Sequence, residues 1–229
     1  MTLGKVAASA AFLSACLGMM QTAGAAESIK PGVYVGMTAI GSFAFIDDIR
    51  ATGFTGTRRI GNDDDQTAAL GGVIGWRFQN LPLRLEGEVH HRFRFDYDVR
   101  DQMANGSYVG YETNLSTTAA LANLKWEIRQ WKDFTPYLQG SFGWARNSAD
   151  TERRSVAGVY TKHTTHTDNF AIGAGVGFLW DFAENWGVDL GYRYINLGEV
   201  DVKGFPTGET ISADSLTAHD VQLSVIYRF

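Results

Sequence analysis

The sequence predicts an all-β chain, an eight-stranded antiparallel up-and-down barrel behind an N-terminal leader. Three observations carry that expectation. Eight segments alternate apolar and polar residues with a period of two, which marks strands and not helices. The connections between them alternate between short and long. All four prolines avoid strand interiors: Pro31, Pro82 and Pro136 sit at strand starts and Pro206 in a loop, where no ladder donor is lost.

The chain has 229 residues, enough for one large domain or two small ones. Charged residues are 20% and hydrophobic ones 45%. No stretch in the body of the chain approaches the roughly 20 apolar residues of a spanning helix. A formal net charge of -5 without a basic run argues against nucleic acid as a partner. At the N-terminus, MTLGK supplies a positive charge, VAASAAFLSACLGMM an apolar core and Ala23-Gly24-Ala25 a small-x-small cleavage pattern. Cleavage is expected after Ala25, with Ala26 as the near alternative. That gives a signal peptide over 1–25 and a barrel domain over 26–229. Leu13-Ser14-Ala15-Cys16 also resembles a lipobox, in which Cys16 would be lipidated. Cys16 is the only cysteine, so cleavage after Ala25 excludes disulfides and thiolate metal sites.

The segments follow in order. The first is 32–45, GVYVGMTAIGSFAF. In the second, 67–79, Leu70, Gly72, Ile74, Trp76 and Phe78 oppose Ala69, Gly71, Val73, Gly75 and Arg77. The third, 83–98, reads LRLEGEVHHRFRFDYD. It sets Leu83, Leu85, Val89, Phe93 and Phe95 against Arg84, Glu86, Glu88, Arg92 and Arg94, and puts His90 and His91 on opposite faces. The fourth, 114–129, opposes Ala120, Ala122, Leu124, Trp126 and Ile128 to Thr117, Leu121, Asn123, Lys125 and Glu127. The fifth, 135–146, sets Leu138, Phe142 and Trp144 against Tyr137, Gln139 and Ser141. The sixth, 169–182, turns Phe170, Ile172, Val176, Phe178, Trp180 and Phe182 one way and Gly173, Gly175 and Gly177 the other. The seventh, 185–196, opposes Trp186, Val188, Leu190, Tyr192 and Tyr194 to Asp189, Gly191 and Arg193. The last, AHDVQLSVIYRF, alternates to the terminal Phe229.

The turns QNLP, RQWKDF and FAEN are short, whereas 46–66, 97–113, 147–168 and 197–217 are long and polar. Membrane barrels have this arrangement, with short periplasmic turns and long outer loops. Trp76, Trp126, Trp131, Trp180 and Trp186 lie beside the short turns. Phe43, Phe45, Phe93, Phe95, Tyr97, Trp144 and Phe170 would form the opposite girdle. Two aromatic belts suit a barrel whose apolar face meets lipid, not one that turns it inward around a ligand. The fold class is therefore a transmembrane β-barrel.

The opposite face must fill a narrow interior, where unpaired ions would be costly. Glycines on the second and sixth segments would make room for long side chains. Arg77, Arg84, Glu86, Lys125 and Glu127, on three neighbouring segments, are expected in one ion network. Asp189, Arg193, Asp220, Gln222 and Arg228 are expected in a second. Glu88, Arg92 and Arg94 should also point inward. The reading is structural, with a small passive channel as its rival.

PGVYVGMTAIGSFAF, TPYLQGSFGWA, FAIGAGVGFLWDF, WGVDLGYRYINLG and VQLSVIYRF, in this order and spacing, carry a family resemblance. The chain resembles small outer-membrane β-barrels of the opacity-protein and alphaproteobacterial surface-antigen type, similar to the OmpA and OmpX barrels. The resemblance implies a bacterial outer-membrane location, contact with lipid and lipopolysaccharide, and hand-over to the barrel-insertion machinery through Phe229. It also implies a structural or surface-interaction role, with four long loops open to extracellular ligands.

No cofactor or metal is expected. Some eight-stranded barrels modify lipid A, and His91 and His219 would be the residues to examine. They lie on strands that are not neighbours and lack a nucleophile partner, so the chain is not expected to be an enzyme. His163 and His166 in KHTTHTD, and Asp63, Asp64 and Asp65 in NDDDQT, lack the spacing of zinc or calcium sites. Asn114-Leu115-Ser116 matches a eukaryotic glycosylation motif that has no meaning in a bacterial outer membrane without a dedicated system.

Overall fold

Strands β1 (Gly32–Thr52), β2 (Thr57–Asn62), β3 (Asp64–Arg77), β4 (Leu83–Gln102) and β5 (Tyr108–Glu127) make up the first half of the computed structural model. Strands β6 (Phe134–Arg154), β7 (Tyr160–Trp180), β8 (Trp186–Asn196), β9 (Val200–Val202) and β10 (Thr210–Arg228) complete it. The structure describes residues 31–62, 64–154, 158, 160–203, 205 and 208–229. The expected signal peptide over 1–25, with Ala25, Ala26 and Cys16, lies outside them. So do Asp63, Pro206 and the side chain of Phe95.

Eight strands form a ring in the order β1-β3-β4-β5-β6-β7-β8-β10, and β10 pairs back onto β1. Every pairing is antiparallel, and the closing one runs from Tyr34↔Arg228 to Thr52↔Thr210. The short β2 and β9 add to β4 and β10 at one end of the ring. Closure leaves the ring without an edge across its middle, where every strand backbone finds a partner on both sides within the sheet.

The segments expected as long loops are largely strand. β4 continues to Gln102 and β5 starts at Tyr108, leaving a tight turn in which Met103 N–H donates to Ser107 O (2.9 Å). Gly106 takes the left-handed conformation that this turn needs, at φ 87°. β6 and β7 likewise pair out to Arg154↔Tyr160. The upper part of β7, YTKHTTHTD, is polar on both faces, so no hydrophobic period marks it, and pairing with β6 alone defines it.

A second difference is on β4. Its ladder with β5 shifts by one residue between Arg92 and Phe95. Below this bulge Arg84, Glu86, Glu88, His90 and Arg92 are buried; above it Tyr97, Val99 and Asp101 are. One extra residue moves every later side chain to the other face. Arg94, expected inside the barrel, is therefore exposed outside. Tyr97, expected in the outer girdle, is 2% exposed and points inward. The alternation itself persists through the bulge, and only its sense reverses.

Inside the ring, tall residues stand over glycines. Tyr34 pairs with Gly75 and Tyr137 with Gly177, each directly across a strand boundary. A Cβ at Gly75 would lie 2.3 Å from the Tyr34 ring, and one at Gly177 would lie 2.4 Å from the Tyr137 hydroxyl. Gly87, on the outer wall, would meet nothing nearer than Ile74 at 3.7 Å. We expect Gly75→Ala to lower the unfolding free energy by about 1–3 kcal/mol through overpacking. Gly87→Ala should change it by less than about 0.5 kcal/mol. Urea titration followed by the heat-modifiable gel shift measures both, and equal effects would contradict the packing described.

Candidate functional site in the barrel lumen

The lumen is filled in three layers. Nearest the short turns, Arg77 donates from Nε and Nη2 to Glu127 Oε2 at 3.0 and 2.8 Å. Arg84 Nε lies 2.9 Å from Glu127 Oε1, and its Nη1 donates to Asp189 Oδ2 at 2.9 Å. Lys125 Nζ bridges Glu86 at 2.9 Å and Asp189 at 3.1 Å. Tyr34 donates its hydroxyl hydrogen to Glu86 at 2.6 Å and Tyr137 donates to Asp189. Lys125 and Arg84 also sit over the Tyr137 ring, at 4.8 and 5.0 Å. At the mouth Arg228 pairs with Asp181, which lies 3.7 Å from Arg77.

The middle layer centres on Arg193, which reaches Glu88 at 3.0 Å and Asp220 at 3.2 Å. Arg92 pairs with the same Asp220 at 3.0 Å. Ser42 donates to Asp220 at 2.6 Å and Asn123 to Glu88 at 2.6 Å. His90 Nδ1 lies 2.7 Å from Glu88 Oε1. With its amide oxygen turned inward, Gln222 accepts from Arg193 Nη2 at 2.9 Å.

The third layer, at the long-hairpin end, is apolar. Ile46, Ile49, Tyr97, Val99, Tyr111, Leu115, Leu197, Val202, Phe205 and Ile211 pack there in one cluster. Its polar members are paired: Tyr111 donates to Glu209 at 3.1 Å, and Arg153 bridges to the same carboxylate at 3.1 Å. Burial pushes the Tyr111 phenol up to about 12, which keeps it protonated and donating.

Of the inward residues expected from sequence, Arg77, Arg84, Glu86, Glu88, Arg92, Lys125, Glu127, Asp189, Arg193, Asp220 and Arg228 are buried in the lumen. Arg94 is not. The expected division into two networks is also different. Asp189 belongs with Arg84 and Lys125, and Arg228 belongs with Asp181 near Arg77. Arg193 and Asp220 join Glu88 and Arg92. Arg77, Arg84, Glu86, Lys125 and Glu127, on neighbouring strands, do share one network, but adjacency does not bound it, because long side chains cross a narrow lumen and group by height along the axis. Tyr34, Ser42, His90, Asn123 and Asp181 complete the layers without having been singled out for them. The alternation alone would have pointed the first four inward.

The outer wall carries what lipid demands. Met37, Leu70, Ile74, Val89, Phe142, Ile172 and Val176 are exposed along its middle. Trp76, Trp131, Trp180 and Trp186 ring the short-turn end, while Phe43, Phe93, Trp144 and Phe170 ring the other. On β7 the stretch from Phe170 to Trp180, at about 3.3 Å per residue and a tilt of about 40°, spans about 25 Å. That is the height of the apolar band of an outer-membrane barrel. His91 is exposed and bonds Thr118 at 2.9 Å, and His219 is capped by Tyr192 and by the Phe45 and Tyr194 rings. His163 and His166 lie on β7, one turned toward Phe205 and the other outward to Ser148, so they do not converge. Among the described residues no cluster of three or more His, Cys, Asp or Glu could hold a metal.

A closed antiparallel ring with an apolar, double-girdled exterior and a packed charged interior defines a transmembrane barrel of the outer-membrane class. The chain belongs to the family described as the outer membrane protein beta-barrel domain, whose model matches residues 12–229. It is 28% identical over 225 residues to the outer membrane protein PagN of Salmonella typhimurium, covering 90% of this chain and 93% of that one. Among solved structures it is similar to Neisserial surface protein A (TM-score 0.54, 16% identity, 86% of this chain and 97% of the other). It is also similar to OprG from Pseudomonas aeruginosa (TM-score 0.53, 11% identity, 90% and 100% covered). These likenesses show a shared fold. The protein resides in the bacterial outer membrane.

Arg92 and Arg94, two residues apart, should respond oppositely to truncation. Arg92→Ala leaves Asp220 with one fewer buried cation and should cost about 3–5 kcal/mol. Arg94→Ala removes an exposed side chain and should cost less than about 0.5 kcal/mol. Urea unfolding in detergent micelles distinguishes them, and a large loss for Arg94→Ala would contradict the bulge.

Proposed function

We propose that the protein is a closed surface barrel. It anchors in lipid, holds its lumen shut, and offers the hairpins beyond the outer girdle as contact surface. The observation that carries this reading is the filling of the lumen. Arg77, Arg84, Arg92, Lys125, Arg193 and Arg228 face Glu86, Glu88, Glu127, Asp181, Asp189 and Asp220, six charges of each sign, and an apolar plug sits above them. Neutralised and packed side chains offer an ion neither a continuous charged lining nor a wet path.

The same reading assigns residues 1–25 to a cleaved signal peptide and 26–229 to the barrel, with the short turns in the periplasm. Four hairpins then project outward, at 52–57, 102–108, 154–160 and 196–210, as the surfaces that meet extracellular ligands. Phe229 is 74% exposed, with its ring edge-on to Tyr227 at 5.2 Å, and is accessible to the insertion machinery. His91, His166 and His219 each bond a hydroxyl, of Thr118, Ser148 and Tyr192, but among the described residues no carboxylate hydrogen-bonds any of these rings to orient it as a base, which favours a non-enzymatic role.

Planar-bilayer recording of the purified protein tests the closed lumen. We expect no stable steps from the wild type. Ion-selective steps altered by Arg92→Ala would replace this reading with the passive channel. Labelling of a cysteine placed at Asn105 on intact cells tests the orientation; labelling only after the outer membrane is breached would invert it.

A further inference from the structure

The lipid-facing wall is uneven along β5. Its outward residues, moving away from the short turns, shrink from Trp126 and Leu124 to Ala122 and Ala120. Ala122 is flanked by Gly87 on β4 and Phe142 on β6, and Ala120 by Val89 and Trp144. Small residues beside tall ones leave a groove of about 860 Å³. Its floor is Gly72, Gly87, Ala120 and Ala122, and one side is walled by Phe142, Trp144 and Phe170.

The chemistry changes on the next two rungs outward. Thr118 lies between His91 and Arg146, and its hydroxyl pairs with His91 Nδ1 at 2.9 Å. Ser116 faces the bulge that turns Arg94 out and has Ser148 on its other side. The valley floor thus passes from methyl groups to hydroxyls, with an arginine on each flank. Arg146 is held by Asp168 at 2.7 and 3.0 Å and lies over Trp144 at 5.1 Å. Arg94 makes no ion pair with any described residue. Beyond this band Asp96, Asn114 and Asp150 share a rung and begin an acidic stretch. An anion would therefore be accepted at the level of Arg94 and repelled farther out.

A complementary ligand has an acyl chain for the groove, hydroxyls for the serine and threonine, and one anionic group at that height. We propose that this valley is a lipopolysaccharide site. An acyl chain of the glycolipid lies over Ala120 and Ala122, and a phosphate on its sugar headgroup meets Arg94. The bulge on β4 has a ligand-binding consequence in this account: it takes one arginine out of the lumen and sets it at headgroup height. The inference rests on the orientation proposed above, with the long hairpins outside.

The test uses protein purified from outer membranes and embedded in phosphatidylglycerol nanodiscs that contain lipopolysaccharide or its dephosphorylated form. Native mass spectrometry counts the lipid retained per barrel. We expect one lipopolysaccharide retained on the wild type, and roughly tenfold less for the dephosphorylated form, for Ala120→Trp and for Arg94→Glu. Val225→Trp, on the opposite wall at β10, should behave as wild type. Equal retention of phosphatidylglycerol, or unchanged retention by Arg94→Glu, would overturn the proposal. Should Ala120→Trp fail the heat-modifiable gel shift, Arg94→Glu at its exposed position decides alone. The conductance result is independent of either outcome, and cell-surface labelling tests the orientation separately.

Discussion

Closure of β10 onto β1 is the constraint on which everything else rests. In hydrocarbon an unpaired backbone amide has no water to turn to, so the sheet must return to its starting strand. Returning with eight strands fixes a bore only as wide as side chains. The bore in turn dictates the interior: what points inward must be small, or must interlock with something small across the strand boundary. The Tyr34–Gly75 and Tyr137–Gly177 pairs follow from this geometry, and so does the layering of charges by height.

Putting ions into that bore is costly unless each is matched. The two polar layers are matched by sharing. Asp189 takes Arg84, Lys125 and Tyr137, and Asp220 takes Arg92, Arg193 and Ser42. Such sharing makes the layers cooperative, because removing one cation disturbs a carboxylate on which the other cation also depends. It also keeps the layers electrically neutral, so the chain's formal net charge of -5 is carried elsewhere in the molecule.

Much of this was legible in the sequence, and the exceptions have one cause. Within the lipid band the period of two gave the inward face of β3 to β8 and β10 residue by residue, because lipid outside and ions inside make the two faces chemically opposite. The pattern does not say which face it describes. From Leu83 to Val99 the odd positions are mostly apolar and the even ones mostly charged, without interruption. Yet Phe93 faces lipid and Tyr97 the interior, since the bulge falls between them. A bulge adds a residue to the chain without disturbing the letters, so Arg94 could not be told from Arg92 by alternation. The long hairpins were hidden for a related reason. On YTKHTTHTD both faces are polar, and only the partner strand makes it β.

The reversal on β4 has a physical logic. Inside the bilayer the greasy face belongs outside; beyond the headgroups water surrounds the barrel and the greasy face belongs inside. A strand can exchange its faces where the medium changes, and on β4 a single extra residue does that without breaking the ladder for long, whereas β5 and β6 keep one face inward along their whole length. β1 makes the same exchange near Asp48, which has a positive φ of 54°, so that Ile46 and Ile49 both point inward although they are three positions apart. Its neighbour β10 follows, with Ala213 and Leu216 both inward. The barrel thus carries charges inside its lower two layers, where lipid surrounds it, and an apolar core inside its third. The apolar third layer lies beyond the outer girdle, so the paired strands that lead into the hairpins stand on a packed core.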